Sequence, residues 1–181
     1  ISPFLLVGGV VAFKFVDTGR WHQMGRVLIG FGLMILSLHL LVDSMAPAEN
    51  APAMRDFMQM VTAEPAMCVL AAALLTWVTH SSVATVLLTI SLAHAQVVSP
   101  EAALALVLGA NLGSAINPLF EAGRSGNLAS KRVPIGNLLN RVVGLVLAYP
   151  FLGTITNWGL TLQPNAALLT SQFHLVLNLA L

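Results

Sequence analysis

The chain has 181 residues, of which 57% are hydrophobic and 8% are Asp, Glu, Lys or Arg, and its formal net charge is +1. A typical soluble domain is about a quarter charged, so this composition excludes a water-soluble fold and predicts an all-α polytopic integral membrane protein. The near-neutral charge balance, with no basic run interleaved with aromatics, also excludes a nucleic-acid partner.

The chain begins Ile1-Ser2-Pro3 and stops within the apolar stretch 173–181. We therefore expect residues 1–181 to be a single transmembrane domain fragment of a longer protein. The apolar block 4–13 has neither the preceding basic residue nor the following cleavage site of a signal peptide. It is interpreted as the end of a membrane helix.

A first complete span is predicted at 27–42, bounded by Arg26 and Asp43. The polar stretch 43–64 follows as a loop. Within it, a short interfacial helix is predicted from apolar residues at helical spacing, namely Met54, Phe57, Met58 and Val61.

The next two apolar stretches, 66–78 and 83–98, meet at the polar sequence Thr79-His80-Ser81-Ser82. Each is too short for an ordinary crossing, so together they predict a re-entrant helical hairpin. A third short stretch, 102–108, ends in Gly109-Ala110-Asn111-Leu112-Gly113-Ser114 and predicts a helix broken within the membrane. Irregular backbone at that depth must be buried in protein or line water, so two neighbouring breaks indicate a cavity.

The last third of the chain contains a basic loop at 123–132, a span at 133–153, a connection at 154–165 and a final apolar segment. Lys and Arg concentrate in the loops around Gly19 and Ser125. The positive-inside rule therefore places both loops in the cytoplasm and the loop around Asn50 on the other side.

Five residues at the first break are candidate ligands. A helix N-terminus and Ser or Thr hydroxyls can bind an oxyanion, and the same oxygens can bind sodium, a hard cation. The alternative for each hydroxyl is a bond back to the preceding helical turn or a helix-packing role. The candidates are Thr76, His80, Ser81, Ser82 and Thr85.

The second break adds Asn111, Ser114 and Asn117 as candidates, because an amide both donates and accepts hydrogen bonds. Its Gly-x-x-x-Gly spacing is equally typical of a helix-packing face. Arg141 lies inside a span, where it needs an acidic partner, carbonyls or water. Pairing with Asn residues or snorkelling is favoured over substrate contact.

The chain shows no pattern typical of an enzyme. Its histidines lack zinc-ligand spacing, no carboxylates pair within a span, and Cys68 has no nearby base. We therefore expect neither catalytic residues nor a resident metal or cofactor. His39, His94, His174 and Cys68 are interpreted as packing residues rather than ligands.

Taken together, the two motifs resemble the sodium/phosphate cotransporter family of bacterial type. Leu74-Leu75-Thr76, Ser81-Ser82 and Ala84-Thr85 match its LLTALVQSSSAT motif, although His80 replaces Gln and Val83 replaces the third Ser. The residues 109–114 match its GANIGTTVTA motif. His174 and Asn178 resemble its later His-x-x-Phe-Asn signature, whereas Asn137, Asn140 and Arg141 depart from the earlier copy.

The resemblance covers about residues 27–178 and implies one half of an inverted-repeat transporter, here the second repeat. It implies sodium-coupled transport of inorganic phosphate across the bacterial inner membrane, with the first repeat half as partner and lipid around it. Asn137, Arg141, His174 and Asn178 are then further candidate ligands.

Two alternatives stay open. The chain could carry a different small anion, or it could be a non-transporting membrane scaffold or sensor whose polar breaks serve packing. The departure at His80 also leaves proton coupling open, because histidine titrates near neutral pH. The direction of flux is not encoded in these motifs.

Overall fold

The computed structural model consists of helices joined by short connections, and the residues that it describes contain no strand. The described residues are 1–15, 19–49, 52, 56, 60–124 and 128–181. Three helical stretches are long and apolar enough to cross a membrane, namely Arg20–Leu40, Pro100–Gly123 and Ala129–Leu162. These helices agree with the predicted all-α membrane fold.

The chain divides into two compact units, residues 1–46 and 47–181. In the first unit, α1 (Ser2–Phe15) packs against α2 (Arg20–Glu49) in antiparallel fashion. A Cβ atom at Gly25 would lie 2.6 Å from the Phe13 nitrogen, so the absence of a side chain permits this close approach.

Helix α2 does not end at Val42 as predicted but reaches Glu49. Hydropathy shows where a helix leaves an apolar environment, whereas backbone hydrogen bonding can continue into polar sequence. Most of the predicted interfacial helix lies outside the described residues, as do Asn50 and Ser125. The predicted membrane orientation therefore stays a prediction.

The second unit contains seven α-helices in the part of the chain that the structure describes. Within the described residues, each break between them contains a polar residue or a Pro, except the break that consists of Ala115 alone. The helices are α3 (Pro65–Thr79), α4 (Ser82–His94), α5 (Pro100–Ser114), α6 (Ile116–Arg124), α7 (Arg132–Ala148), α8 (Leu152–Leu162) and α9 (Ala166–Ala180).

Helix α5 forms the centre of this unit. Its residues 102–111 are all buried, and it contacts α3, α4, α7, α8 and α9. Alanine is frequent along it, and small side chains allow several helices to pack around one. The sequence predicted a broken helix in this region, whereas in the structure α5 is the core of the unit.

The closest packing joins α3 to α5. A Cβ atom at Gly109 would lie less than 3.0 Å from the Val69 carbonyl oxygen, and one at Gly113 equally close to that of Ala73. The pairs advance together along both helices, so α3 and α5 run parallel. The two glycines therefore serve packing, which is the second of the two interpretations that their spacing allowed.

The last third of the chain differs from its prediction. Instead of a span at 133–153 and a connection at 154–165, helical structure runs from Ala129 to Leu162, 34 residues, through a 3₁₀ turn at Tyr149–Phe151. Pro150 lies in the first turn of its segment, where a missing backbone N–H is tolerated. The connection is therefore confined to 163–165.

Replacing Gly109 by Ala should lower the free energy of unfolding by about 1 to 3 kcal/mol, because the added methyl group would clash with backbone that cannot rotate away. Thermal unfolding of the purified protein, followed by circular dichroism, would measure this. Gly136→Ala is the matched control. No atom lies within 4 Å of a Cβ atom there, so the higher helix propensity of Ala should leave stability equal or slightly raised. Equal effects of the two changes would contradict the packing role.

Candidate functional site

The predicted interruption between α3 and α4 is present. Helix α3 ends at Thr79, and His80 adopts the left-handed conformation, with φ 55° and ψ 21°. Ser81 is extended, and its hydroxyl accepts a hydrogen bond of 3.2 Å from the Ala84 N–H. Such an N-cap stabilises the start of α4. The Thr79-His80-Ser81-Ser82 sequence therefore ends one helix and begins the next.

Two buried hydroxyls join the helices across this interruption. Thr76 donates to the Thr85 hydroxyl over 2.8 Å, and Thr85 donates to the Ser81 carbonyl over 3.3 Å. Thr76 is 0% exposed and Thr85 3%. Each hydroxyl has one proton, so neither can also donate to an anion, but both oxygens keep a lone pair.

The two serines differ from these threonines. The Ser81 hydroxyl accepts from Ala84 and keeps its own proton, and the Ser82 hydroxyl has no hydrogen bond to another described residue. Both side chains are partly exposed. The N–H groups of the first turn of α4 have no acceptor within the helix, apart from the capped Ala84. Unused donors are therefore present at Ser81, at Ser82 and in the first turn of α4.

Helix α5 is regular through Asn111, contrary to the predicted break there. The irregularity is a single residue, Ala115, between α5 and α6. Gly109 and Gly113 do not end the helix, because the packing of α5 against α3 outweighs the low helix propensity of glycine. Ser114 donates to the Asn111 carbonyl over 2.8 Å, which is a helix-end bond within the chain.

Asn111 is 3% exposed, and within the described residues its side-chain amide has no hydrogen-bond partner. Its polar atoms are not among the fully buried unpaired ones, which in the described part of the chain are Ser2 Oγ and Thr156 Oγ1, so the amide keeps some access to its surroundings. Such a group is a candidate for contact with a ligand, water or further protein.

Asn117 lies one turn beyond Gly113 on the face of the helix that contacts α3. Its amide donates to the Trp77 carbonyl over 3.2 Å. Trp77 also pairs with Phe120, with ring centroids 6.1 Å apart. Together with His80 these residues line a cavity of about 610 Å³. Phe120 was not among the predicted site residues, although its three-residue spacing from Asn117 places both on one helical face.

The four further candidates meet in a second polar cluster between α7 and α9. The Arg141 guanidinium donates to Asn137 Oδ1 over 3.3 Å and to Asn178 Oδ1 over 3.4 Å. Asn178 in turn donates to the His174 carbonyl over 2.8 Å. Arg141 is therefore paired with Asn residues, as its favoured interpretation expected. In the described part of the chain, no hydrogen bond connects this cluster to the first one.

A larger cavity of about 790 Å³ lies between the α4–α5 turn and the α8–α9 turn. Its polar lining includes His94, Gln96 and Asn165. None of the predicted site residues contributes to it, so size alone does not identify the site.

A family model for the Na+/Pi-cotransporter matches residues 45–162. The chain belongs to this family. The match includes both motifs and the whole of α3 to α8, so the interrupted hairpin and the α5 core are parts of the family domain. No solved structure matches the chain.

Curated relatives extend over almost the whole chain. YjbB of Escherichia coli (strain K12), provisionally named an inorganic phosphate export protein, is 35% identical over 179 residues. The corresponding YjbB of Salmonella typhimurium is 34% identical over 99% of this chain. YqeW of Bacillus subtilis, an uncharacterised protein, is 27% identical over 96% of the chain and 56% of its own length. The chain spans about a third, 33%, of the YjbB proteins.

The threonine pair allows a quantitative test of the network. Thr76→Val and Thr85→Val should each lower the free energy of unfolding, the second by more, because Thr85 has two partners. We expect about 1 kcal/mol for each lost hydrogen bond. Denaturant unfolding in detergent micelles of both single variants and the double variant measures the coupling between them. Strictly additive effects would show that the hydroxyls do not interact.

Proposed function

We propose that this chain is one half of a secondary transporter that moves inorganic phosphate, or a similar small anion, across the membrane together with sodium. Membership of the Na+/Pi-cotransporter family supports the substrate class. The observation that carries the proposal is the start of α4, where unused hydroxyl and backbone donors meet. Donors at a helix N-terminus are suited to an oxyanion.

The anion is assigned to Ser81 and Ser82. Both hydroxyls retain a proton, and the positive end of the α4 dipole lies at the same point. Phosphate has several oxygens, so it can accept from two hydroxyls and from backbone N–H groups together. His80 adjoins these donors at the end of α3.

Sodium is assigned to oxygens whose protons are already donated. Thr76, Thr85 and Ser114 each donate within the protein, which leaves lone pairs. Sodium needs oxygen lone pairs and no donors. The division of hydroxyls between the two ions thus follows from their hydrogen bonds rather than from their residue type.

Asn111 is proposed as the contact from α5. Its amide oxygen can accept a hydrogen bond from a ligand and its amide nitrogen can donate one. The residue is buried at the centre of the unit. A ligand that hydrogen bonds to this amide would remove the cost of an unpaired polar group.

The α3–α4 pair is proposed as a re-entrant hairpin. Helices of 15 and 13 residues extend about 22 Å and 20 Å at 1.5 Å per residue, less than the roughly 30 Å of the hydrocarbon core. The interruption would then lie within the membrane. The second half of the site is proposed to come from an inverted repeat elsewhere in the full-length protein, which is longer in the YjbB relatives.

Arg141 and its partners are proposed to hold α7 and α9 together. Two of its donors are already directed at Asn137 and Asn178. These hydrogen bonds to neutral amide oxygens lower the free-energy cost of placing a cation inside an apolar span, and they do so without an ion pair.

A second candidate is a non-transporting scaffold or sensor. It is favoured by the regular course of α5 through Asn111 and by the packing role of Gly109 and Gly113. Flux separates the two functions. Net flux of labelled phosphate into proteoliposomes of the full-length protein should follow an imposed sodium gradient and reverse with it, whereas a scaffold or sensor should show no sodium-dependent flux.

Replacing both Ser81 and Ser82 by Ala should abolish sodium-dependent phosphate flux while leaving insertion intact, because Ala fits a helix and is inexpensive to place in lipid. The single changes should mainly raise the apparent constant for phosphate. The matched control is Ser37→Ala with Ser44→Ala, which removes two hydroxyls that only bond back to their own helix. Normal flux in the Ser81/Ser82 variant at limiting sodium would contradict the anion assignment.

Asn111→Leu should lower flux by a factor of about 10 or more, since a charge-assisted bond is worth about 1.5 to 3 kcal/mol. Its unfolding temperature should stay equal or rise, because an unpaired amide is replaced by an apolar group. Both quantities are measured on the same preparation, with the exposed Asn157→Leu as control. A fall in stability with unchanged flux would assign Asn111 to packing instead.

A further inference from the structure

The last turn of α3 leaves a carbonyl without its normal partner. In an uninterrupted helix the Trp77 carbonyl would accept from the Ser81 N–H, four residues later. Here His80 is left-handed and Ser81 extended, and this bond is absent from the described backbone hydrogen bonds. Both the carbonyl and the N–H therefore need other partners, because an unpaired group in an apolar environment is costly.

Asn117 supplies the partner for the carbonyl. Its amide donates to Trp77 over 3.2 Å, from the first turn of α6. The position follows from the packing of α5, since Gly109, Gly113 and Asn117 recur every four residues opposite Val69, Ala73 and Trp77. The glycines bring the backbones together, and the next residue on that face has a side chain that reaches the freed carbonyl.

The Ser81 N–H has no acceptor among the described residues. Its natural acceptor is the carbonyl that Asn117 occupies. Without the Asn117 amide, a rejoined helix would pair the Trp77 carbonyl with the Ser81 N–H. That N–H would then no longer be available to a ligand. A carbonyl oxygen has two lone pairs, so Asn117 does not exclude the Ser81 N–H. The amide instead gives the freed carbonyl a partner while the helix is interrupted, which reduces the cost of the interruption relative to a rejoined helix.

We propose that Asn117 is a positioning residue that stabilises the interruption between α3 and α4 by donating to the freed Trp77 carbonyl, so that the Ser81 N–H stays available to an oxyanion. This inference rests on the proposed function for its consequence, but its structural part is independent of transport. It also changes the predicted role of Asn117 from ligand to support.

The structural part is tested by hydrogen exchange of the full-length protein in lipid nanodiscs without phosphate. In Asn117→Leu, peptides that cover residues 78–84 should exchange about one amide fewer at early times, because Ser81 bonds to the freed carbonyl. Asn117→Gln keeps the donor and should exchange like wild type. Asn157→Leu is the matched control for the loss of an exposed helical amide. Unchanged or faster exchange in Asn117→Leu, or a Gln variant that behaves like Leu, overturns the proposal.

The functional part is tested with labelled inorganic phosphate and a sodium gradient in proteoliposomes. Asn117→Leu should raise the apparent KM for phosphate roughly tenfold, the effect of about one lost bond to a charged ligand, with the maximal rate within about twofold. The Gln variant should restore the KM. A maximal rate that falls with unchanged KM overturns the positioning role. If wild type carries no phosphate, the proposed function fails, while the exchange experiment still decides the role of Asn117.

Discussion

The glycine backbone of α5 lies against carbonyl oxygens of α3, and the candidate site depends on this contact. Membrane helices gain little from hydrophobic burial against one another, so close packing through small residues has to hold them together. Gly109 and Gly113 provide it. The contact also places Thr76 beside Gly113 and Trp77 beside Asn117. The ends of three helices thus meet at the interruption because two residues lack side chains.

The hydrogen bonds at this point separate two kinds of oxygen. Thr76 and Thr85 have donated their protons within the protein, whereas Ser81 and Ser82 have not. Such a separation suits a site that binds a cation and an anion, because a hydroxyl that has donated its proton within the protein still offers a lone pair to sodium, whereas a free hydroxyl proton is available to an anion. In surroundings of low dielectric constant, neighbouring ions of opposite charge attract strongly, which would link the binding of one to that of the other.

Two departures from the family motifs lie at the interruption or contact it. His80 occupies the position of the Gln in the first family motif. Asn117 occupies the position of the last Thr in the GANIGTTVTA motif. The left-handed conformation of His80 is unusual for a residue with a side chain. It directs the chain from one helix into the next, so the position of this residue has a structural consequence whether or not its imidazole contacts a ligand.

The sequence by itself determined the membrane class, the family and the interruption at His80–Ser81. These follow from composition and from local rules, because apolar length sets membrane helices and polar residues with a capping serine end them. Only the tertiary structure decided that α5 is regular through Asn111, that Gly109 and Gly113 serve packing, and that Arg141 bonds to Asn178. A glycine pair can end a helix or allow another helix to pack closely. A side-chain amide can hydrogen bond to a ligand or to a backbone carbonyl. Which of these occurs depends on a partner 37 to 40 residues away in the chain, and local sequence contains no information about that distance.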